Sequence, residues 1–361
     1  MKDAKEQQIE EIGAGIYRLA LPIPFEVGPI NCYLLLSRGE GPVLVDTGPK
    51  TRGARGVLHR LLGELGVRPA DLRHLILTHS HIDHHGLAGE LQLAGGARVH
   101  AHEADSEAIF AFTRHVREET PRYLRLATAW GFGGLGLQLV SDFRAGFLQL
   151  ADDIDRRAEV RLQGLEGPVA VPGWELRFLH TPGHSAGHIC LWLPAEDLVL
   201  VGDHILEDIT PNPAVYLPPY RGKATGLGDY LESLERFGAW APPGVRLAPG
   251  HGRLFGGLGE RLATIAAHHR QRKARIVEVL REGPGSGAGD RAEGYLQPAR
   301  AGLTVADIAS RLWRGLSPGD FYLAAKEVHG HLDLLVAEGR VVRVADGEVW
   351  GFAATDREED E

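Results

Sequence analysis

The chain has 361 residues, is 43% hydrophobic, and carries 39 basic and 48 acidic side chains for a net charge of −9. That length asks for two domains or one large domain with an attachment, and the acidic balance gives no general attraction to nucleic acid or anionic membrane. Its two cysteines, Cys32 and Cys190, sit in apolar strand-like segments and read as buried free thiols without a disulfide framework; no run approaches the ~18 apolar residues of a membrane span and the polar N-terminus lacks a signal-peptide core, so a cytoplasmic protein is expected.

In chain order, strands are predicted at Ile16–Leu19, Asn31–Leu36 and Val43–Val45, with Gly39-Glu40-Gly41-Pro42 as a turn between the last two. The third strand runs into Asp46-Thr47-Gly48. A helix over residues 53–65 follows from Val57, Leu58, Leu61, Leu62 and Leu65 at helical spacing. The apolar run Leu72–Leu77 then leads into Thr78-His79-Ser80-His81-Ile82-Asp83-His84-His85-Gly86. With 18 His in the chain, composition supplies about 0.35 of a His to any seven positions; residues 79–85 hold four. In extended chain, residues i and i+2 point the same way, so His79 and His81 can share one ion, while Asp83 and His84 on the following turn can face a second. Imidazole and carboxylate are ligands that zinc, iron and manganese accept, and the end of a strand is where α/β sheets place their sites.

Residues 103–165 show apolar helical spacing through Ile109, Phe110, Phe112, Val116, Tyr123, Leu124 and Leu126, are interrupted at Gly131–Gly136, and resume a helical pattern over 137–157. They read as an inserted helical cap. Strands return over 169–203. Thr181-Pro182-Gly183-His184-Ser185-Ala186-Gly187-His188, Val201-Gly202-Asp203-His204 and Pro249-Gly250-His251-Gly252 each put a His or Asp on a turn after an apolar run. The proline-rich stretch 205–223 reads as a rigid loop, with Tyr216, Tyr220, Arg221 and Lys223 as candidate substrate contacts, and 229–237 as a helix.

Five strand-end turns in this order, each bearing a ligand-type residue, resemble the metallo-β-lactamase fold superfamily over roughly residues 12–262. The resemblance implies an α/β fold, a four-layer αββα sandwich, here with the helical insertion at about 103–165. It implies a first metal held by His79, His81 and His184, a second by Asp83, His84 and His251, and Asp203 bridging both together with a water or hydroxide. Asp83 and Asp203 would be the catalytic carboxylates, and Asp46 would orient a ligand histidine by hydrogen bond. His100 and His102 match no family ligand position and are not expected to bind metal. The complete ligand set resembles the glyoxalase II-like branch.

A second module is expected over 263–355. Helices are predicted at about 264–282, at 304–312 with Thr304 as N-cap, and at 321–338, followed by a hairpin around Asp346-Gly347. Gly283–Gly289 reads as a flexible loop and the acidic end, 356–361, as disordered. Three helices and a hairpin resemble a winged helix such as the C-terminal tail of the glyoxalase II-like subgroup that includes the lactamase-like proteins of animals. Residues 264–355 hold 12 Lys/Arg and 11 Asp/Glu, which is no electrostatic footprint for a phosphate backbone, so packing or homodimerisation is the role read for this module.

Two divalent metal ions per chain, zinc by default with iron or manganese open, would supply a hydroxide nucleophile, so the expected reaction is hydrolysis. An ester or thioester of a small molecule is the expected substrate, with single-stranded RNA cleavage as the alternative and a non-enzymatic DNA-binding regulator as a further reading. Phe110, Phe112, Trp130, Phe132 and Phe143 are expected to line an apolar acyl pocket beneath the cap.

Overall fold

The computed structural model describes residues 8–36, 39–283 and 295–357. The glycine-rich loop beyond Gly283 and the acidic tail beyond Arg357 lie outside the described residues. The chain divides into two compact units, the first comprising Met1–Val116, Phe147–Pro211 and Glu232–Leu262, the second Arg117–Gly146, Asn212–Leu231 and Ala263–Glu361. The stretch 103–165 is thus shared: its middle, 117–146, belongs to the second unit and its two ends to the first.

In the first unit, one sheet has the order β1-β2-β3-β4-β5-β6-β7: β1 (Ile9–Gly13), β2 (Ile16–Leu21), β3 (Ile30–Leu35), β4 (Val43–Val45), β5 (His74–Ile76), β6 (Arg98–His102) and β7 (Glu159–Leu162). A second sheet holds β8 (Glu166–Pro168), β9 (Arg177–His180), β10 (Ile189–Leu193) and β11 (Leu198–Gly202). Strands β12 (Val215–Tyr220) and β13 (Lys223–Thr225) lie in the second unit, and β14 (Arg246–Pro249) completes the second sheet beside β11. All six side chains of β3 are buried, as expected for a strand covered on both faces. Alternation sorts its neighbours. Val43 and Val45 of β4 and Ile76 of β5 join Phe178, Ile189, Leu191 and Leu200 in a core shared by the two sheets. Leu44 and Leu75 point the other way, onto Leu58, Leu61 and Leu62 of the helix Arg52–Glu64. Thr51 caps that helix by accepting the Ala54 N–H at 3.1 Å.

Strand direction brings the ligand turns to common edges. β4, β5 and β6 run parallel, so Asp46 and the His79–His85 turn leave the first sheet at one end. In the second sheet β9 and β11 are both antiparallel to β10, and β14 is parallel to β11, so the turns bearing His184, Asp203 and His251 also leave at one end. Parallel strands ending together are the usual origin of such sites.

The second unit is built on the helix Leu258–Glu282, most of which it contains, with the helices Val305–Leu312 and Pro318–Ala337 and the antiparallel pair β15 (Val341–Asp346) and β16 (Trp350–Ala354). The predicted N-cap is present: Thr304 Oγ1 accepts the Asp307 N–H at 2.9 Å and the Asp307 carboxylate accepts the Thr304 N–H at 3.1 Å. Two expectations change here. Residues 215–225 form an antiparallel hairpin rather than a rigid loop, turning at Arg221 and Gly222 with φ of 49° and 77°. The ladder registers Val215 with Thr225 and Tyr220 with Lys223, and the prolines between fall where its register shifts, so a missing N–H costs little. Four of the five aromatic residues of the expected acyl pocket belong to the two larger cores. Trp130 and Phe132 are buried with Val305, Ile308 and Val328 in the second unit, with Phe143 packed against them, and Phe110 is buried beneath the first sheet. No described helix is long and apolar enough to cross a membrane.

Candidate metal centre

The strand-end turns converge on a cluster of imidazoles and carboxylates in the first unit. His79 Nε2 lies 3.0 Å from His81 Nδ1, and the His184 ring centre is 4.4 Å from that of His81. Asp203 reaches in two directions: Oδ1 is 3.5 Å from His84 Nε2, while Oδ2 is 3.4 Å from His184 Nε2 and 3.6 Å from His251 Nε2. His251 Nε2 is also 3.4 Å from Asp83 Oδ2. Three sets each have ligand atoms within 4.8 Å of one another: His79/His81/His184, Asp83/His84/His251, and His79/His84/Asp203. Ligand atoms about 2.1 Å from one tetrahedral ion stand about 3.4 Å apart, so these spacings suit shared cations. All seven residues that the resemblance implies as ligands are brought together.

The surroundings favour positive charge. His84 Nε2 and Asp203 Oδ1 are buried without a hydrogen-bond partner among the described residues. Burial opposes a charge on His84, yet Asp203 and Asp46 hold its pKa well above the usual histidine range. Burial and the neighbouring His84, His81 and His184 rings push His79 well below that range, which favours the neutral imidazole that a cation needs. Asp83 resists its burial because His251 and His84 hold its pKa down to about 2, so it stays ionised. The donor set and the orphaned atoms fit a divalent pair.

Asp46 lies against His84. Its Oδ2 accepts from His84 Nδ1 at 2.8 Å, which fixes the tautomer and turns Nε2 toward Asp203; the same oxygen accepts from Thr78 Oγ1 at 2.8 Å, and Oδ1 accepts the Thr78 N–H at 2.9 Å. Asp46 has φ of 57°, a conformation costly for a residue with a Cβ and here held by those three bonds. Close approach also dictates Gly250, where a Cβ would stand 2.3 Å from Asp203 Oδ1. His251 Nδ1 is anchored on the Pro29 carbonyl at 3.1 Å.

Three supporting residues carry no sequence assignment. His188 Nε2 accepts the Asp203 N–H at 3.1 Å and its Nδ1 lies 2.8 Å from Thr181 Oγ1, so it props the Asp203 turn. Thr78 joins Asp46 to the His79 turn. Asp105, from the His-Glu-Ala-Asp run after β6, bonds two ligand turns. Of these only His188 has a sequence signal, its spacing of four from His184. His100 bonds His74 at 2.9 Å and His102 stacks on His180 with ring centres 3.7 Å apart, and neither is in the three sets above.

The candidate substrate contacts belong to the second unit, whereas the ligands belong to the first. Tyr216 is buried and its hydroxyl donates to Asp229 Oδ2 at 3.1 Å; Lys223 Nζ donates to Asp229 Oδ1 at 2.5 Å. Asp229 thereby ties the hairpin to the following helix. Arg221 forms the exposed turn, and the Tyr220 side chain lies outside the described residues. Within the first unit, Ile82 of a short helix in the ligand turn, Ile82–His85 (the ligand helix), packs with Phe25, Phe112, Val116, Phe147 and Leu150.

A family model described as the metallo-beta-lactamase superfamily matches residues 25–251. The chain is 24% identical over 347 residues to a probable metallo-hydrolase, YqjP, of Bacillus subtilis (strain 168), covering 95% of this chain and 98% of that one. It is 26% identical over 280 residues to a beta-lactamase-like protein 2 homolog of Caenorhabditis elegans, covering 76% and 74%. Among solved structures, a metallo-beta-lactamase family protein from Thermus thermophilus matches with a TM-score of 0.76 and 27% identity, over 94% of this chain and 99% of that one. The ligand turns all lie within the matched span or at its end, and the chain belongs to the metallo-beta-lactamase superfamily, with the residues of a metal-dependent hydrolase.

Proposed function

We propose that this protein is a dinuclear hydrolase of the glyoxalase II-like branch, acting on an ester or thioester of a small molecule, with zinc as its default metal. The observation that carries the reading is Asp203, whose two oxygens face different histidines while each flanking set is complete. When bound there, a divalent pair supplies an activated water nucleophile and polarises the scissile carbonyl. The chain's own part is positional. Asp46 holds His84, the Pro29 carbonyl holds His251, and His188 holds the backbone of Asp203. Asp83, ionised throughout the neutral range, gives the second set a carboxylate donor.

Charge supports a carbonyl substrate over a polyanion. Basic side chains near the ligand turns are engaged within the first unit: Lys50 with Asp152, Arg253 with Glu207, and Arg261 with the Leu206 and Ile209 carbonyls. A phosphate chain draws most of its affinity from cations along a groove. The cluster of Phe25, Ile82 and Phe112, in the same unit as the ligand turns, supports an apolar partner for an acyl group, whereas Trp130 and Phe132 pack in the core of the second unit. For the second unit, the three helices with β15 and β16 support a winged-helix reading and a packing role.

Two measurements test this. Metal-reconstituted protein should approach two ions per chain by elemental analysis; a firm stoichiometry of one would end the dinuclear reading. The same preparation assayed against thioesters, esters, lactones, β-lactams and single-stranded RNA should turn over carbonyl substrates. RNA cleavage abolished by His81→Ala, with no ester or thioester turnover, would reverse the substrate assignment.

A further inference from the structure

Asp105 is 3% exposed and lies where β6 passes into the helical stretch. Its Oδ2 accepts the Ser80 N–H at 2.9 Å and the Ser185 hydroxyl at 2.7 Å; its Oδ1 accepts the Gly187 N–H at 2.7 Å. Ser80 stands between His79 and His81. Ser185 and Gly187 follow His184. One carboxylate thus joins the turn after β5 to the turn after β9, across 25 residues in one direction and 80 to 82 in the other. The approach is close enough that a Cβ on Gly187 would stand 2.5 Å from the Asp105 amide nitrogen and 2.7 Å from its Cβ, so glycine is required opposite the carboxylate.

Among the described residues, the hydrogen bonds to Asp105 come from neutral donors and use both carboxylate oxygens. An ionised carboxylate accepts on both oxygens, whereas an amide offers one acceptor and presents an NH2 to the other donor. The two turns that Asp105 joins carry the three histidines of a single set, His79/His81/His184. His251, by contrast, is anchored by Pro29, and His84 by Asp46.

We infer that Asp105 is a positioning residue: it sets the separation of the two ligand turns and thereby the metal affinity of the His79/His81/His184 set in preference to the Asp83/His84/His251 set. It also roots the stretch 103–165 directly on that set. The inference rests on the metal-centre reading above.

The test is competition titration of full-length Asp105→Ala, Asp105→Asn and Ser185→Ala with zinc against a chromophoric chelator, alongside thermal unfolding of the metal-free proteins. The wild-type stoichiometry is measured first. In Asp105→Ala one of two sites should weaken by about 10- to 100-fold, the range seen when partners of metal ligands are removed. The other site should hold its affinity, and the metal-free protein should still unfold cooperatively. Asp105→Asn should weaken the same site less than Asp105→Ala, because its one carbonyl oxygen can still accept from Ser80 and Ser185 while its NH2 faces the Gly187 N–H. Ser185→Ala, which removes one donor of three, should weaken it less. Equal weakening of both sites, or unchanged affinity in Asp105→Ala, would overturn the inference; should Asp105→Ala fail to fold, unchanged affinity in Ser185→Ala would do so. A wild type that binds one ion, weakened by Asp105→Ala, would defeat the dinuclear reading and leave the clasp standing.

Discussion

Asp203 is the residue through which both metal sets meet, since Oδ1 faces His84 and Oδ2 faces His184 and His251. On the proposed bridging role of Asp203, removing a terminal ligand leaves one set intact, whereas removing Asp203 opens both. Asp203→Ala should therefore lower kcat by at least about 100-fold and by more than His81→Ala does, checked by steady-state kinetics with metal content measured on the same samples. Near-normal turnover would remove Asp203 from the centre. Gly250 offers a complementary change that deletes nothing. A Cβ there would stand 2.3 Å from Asp203 Oδ1 and 2.8 Å from His84 Cε1. Gly250→Ala should displace both groups and lower the metal content of purified protein, while a variant with full metal and full activity would show that the turn can yield.

At the scale of elements, the helices of the stretch 103–165 serve two cores. Phe112 packs with Ile82 and Phe25 beside the ligand helix. Trp130, fully buried, packs with Tyr322 and His329 at ring-centre distances of 6.0 and 5.3 Å. Trp130→Ala should therefore act on stability. The expected loss is about 3–5 kcal/mol, the usual range for truncating a buried aromatic. Chemical denaturation followed by far-UV circular dichroism checks it. KM on any active ester should remain within about two-fold, since the change leaves the ligand turns untouched. A large rise in KM with unchanged stability would return Trp130 to the substrate pocket.

At the scale of the molecule, acid should weaken the second unit before its carboxylates titrate. Burial pushes His269 down to about 3, and His329 and His331 down to about 4. The unfolded chain regains a histidine pKa of about 6.5 and so binds more protons than the folded one below that value. Stability must then fall as pH drops through the window from about 6.5 to about 4, by on the order of 2 kcal/mol per histidine at pH 5. His269 and His331 share a hydrogen bond of 3.1 Å, so their contributions do not simply add. Denaturation midpoints at pH 7.5 and 5.0 should differ accordingly, and His329→Gln should narrow the gap. Trp130 and Trp350 lie beside His329 and would report its protonation by fluorescence. Equal midpoints at the two pH values would refute the assignment of these groups as neutral.

What the sequence determined by itself is what neighbours along the chain decide. The i, i+2 geometry of His79 and His81, the helical spacing of Leu58, Leu61 and Leu62, and the Thr304 cap all arise within a few residues, and each appears where its pattern lies. The ligand turns were legible because an apolar run followed by His or Asp on a turn is a local signature, and the family resemblance assembled five of them in order. Asp105 had no such signature: its partners are 25 and 80 to 82 residues away, and a single aspartate in a helical stretch looks like a solvated one. The hairpin at 215–225 was hidden because its prolines argue against a strand until the register shift shows where they sit. The destination of Trp130 and Phe132 was equally open, since an aromatic face suits a pocket and a core alike. Burial is not directional and many apolar partners are nearly equivalent, so only the folded chain decides which surface such a side chain meets.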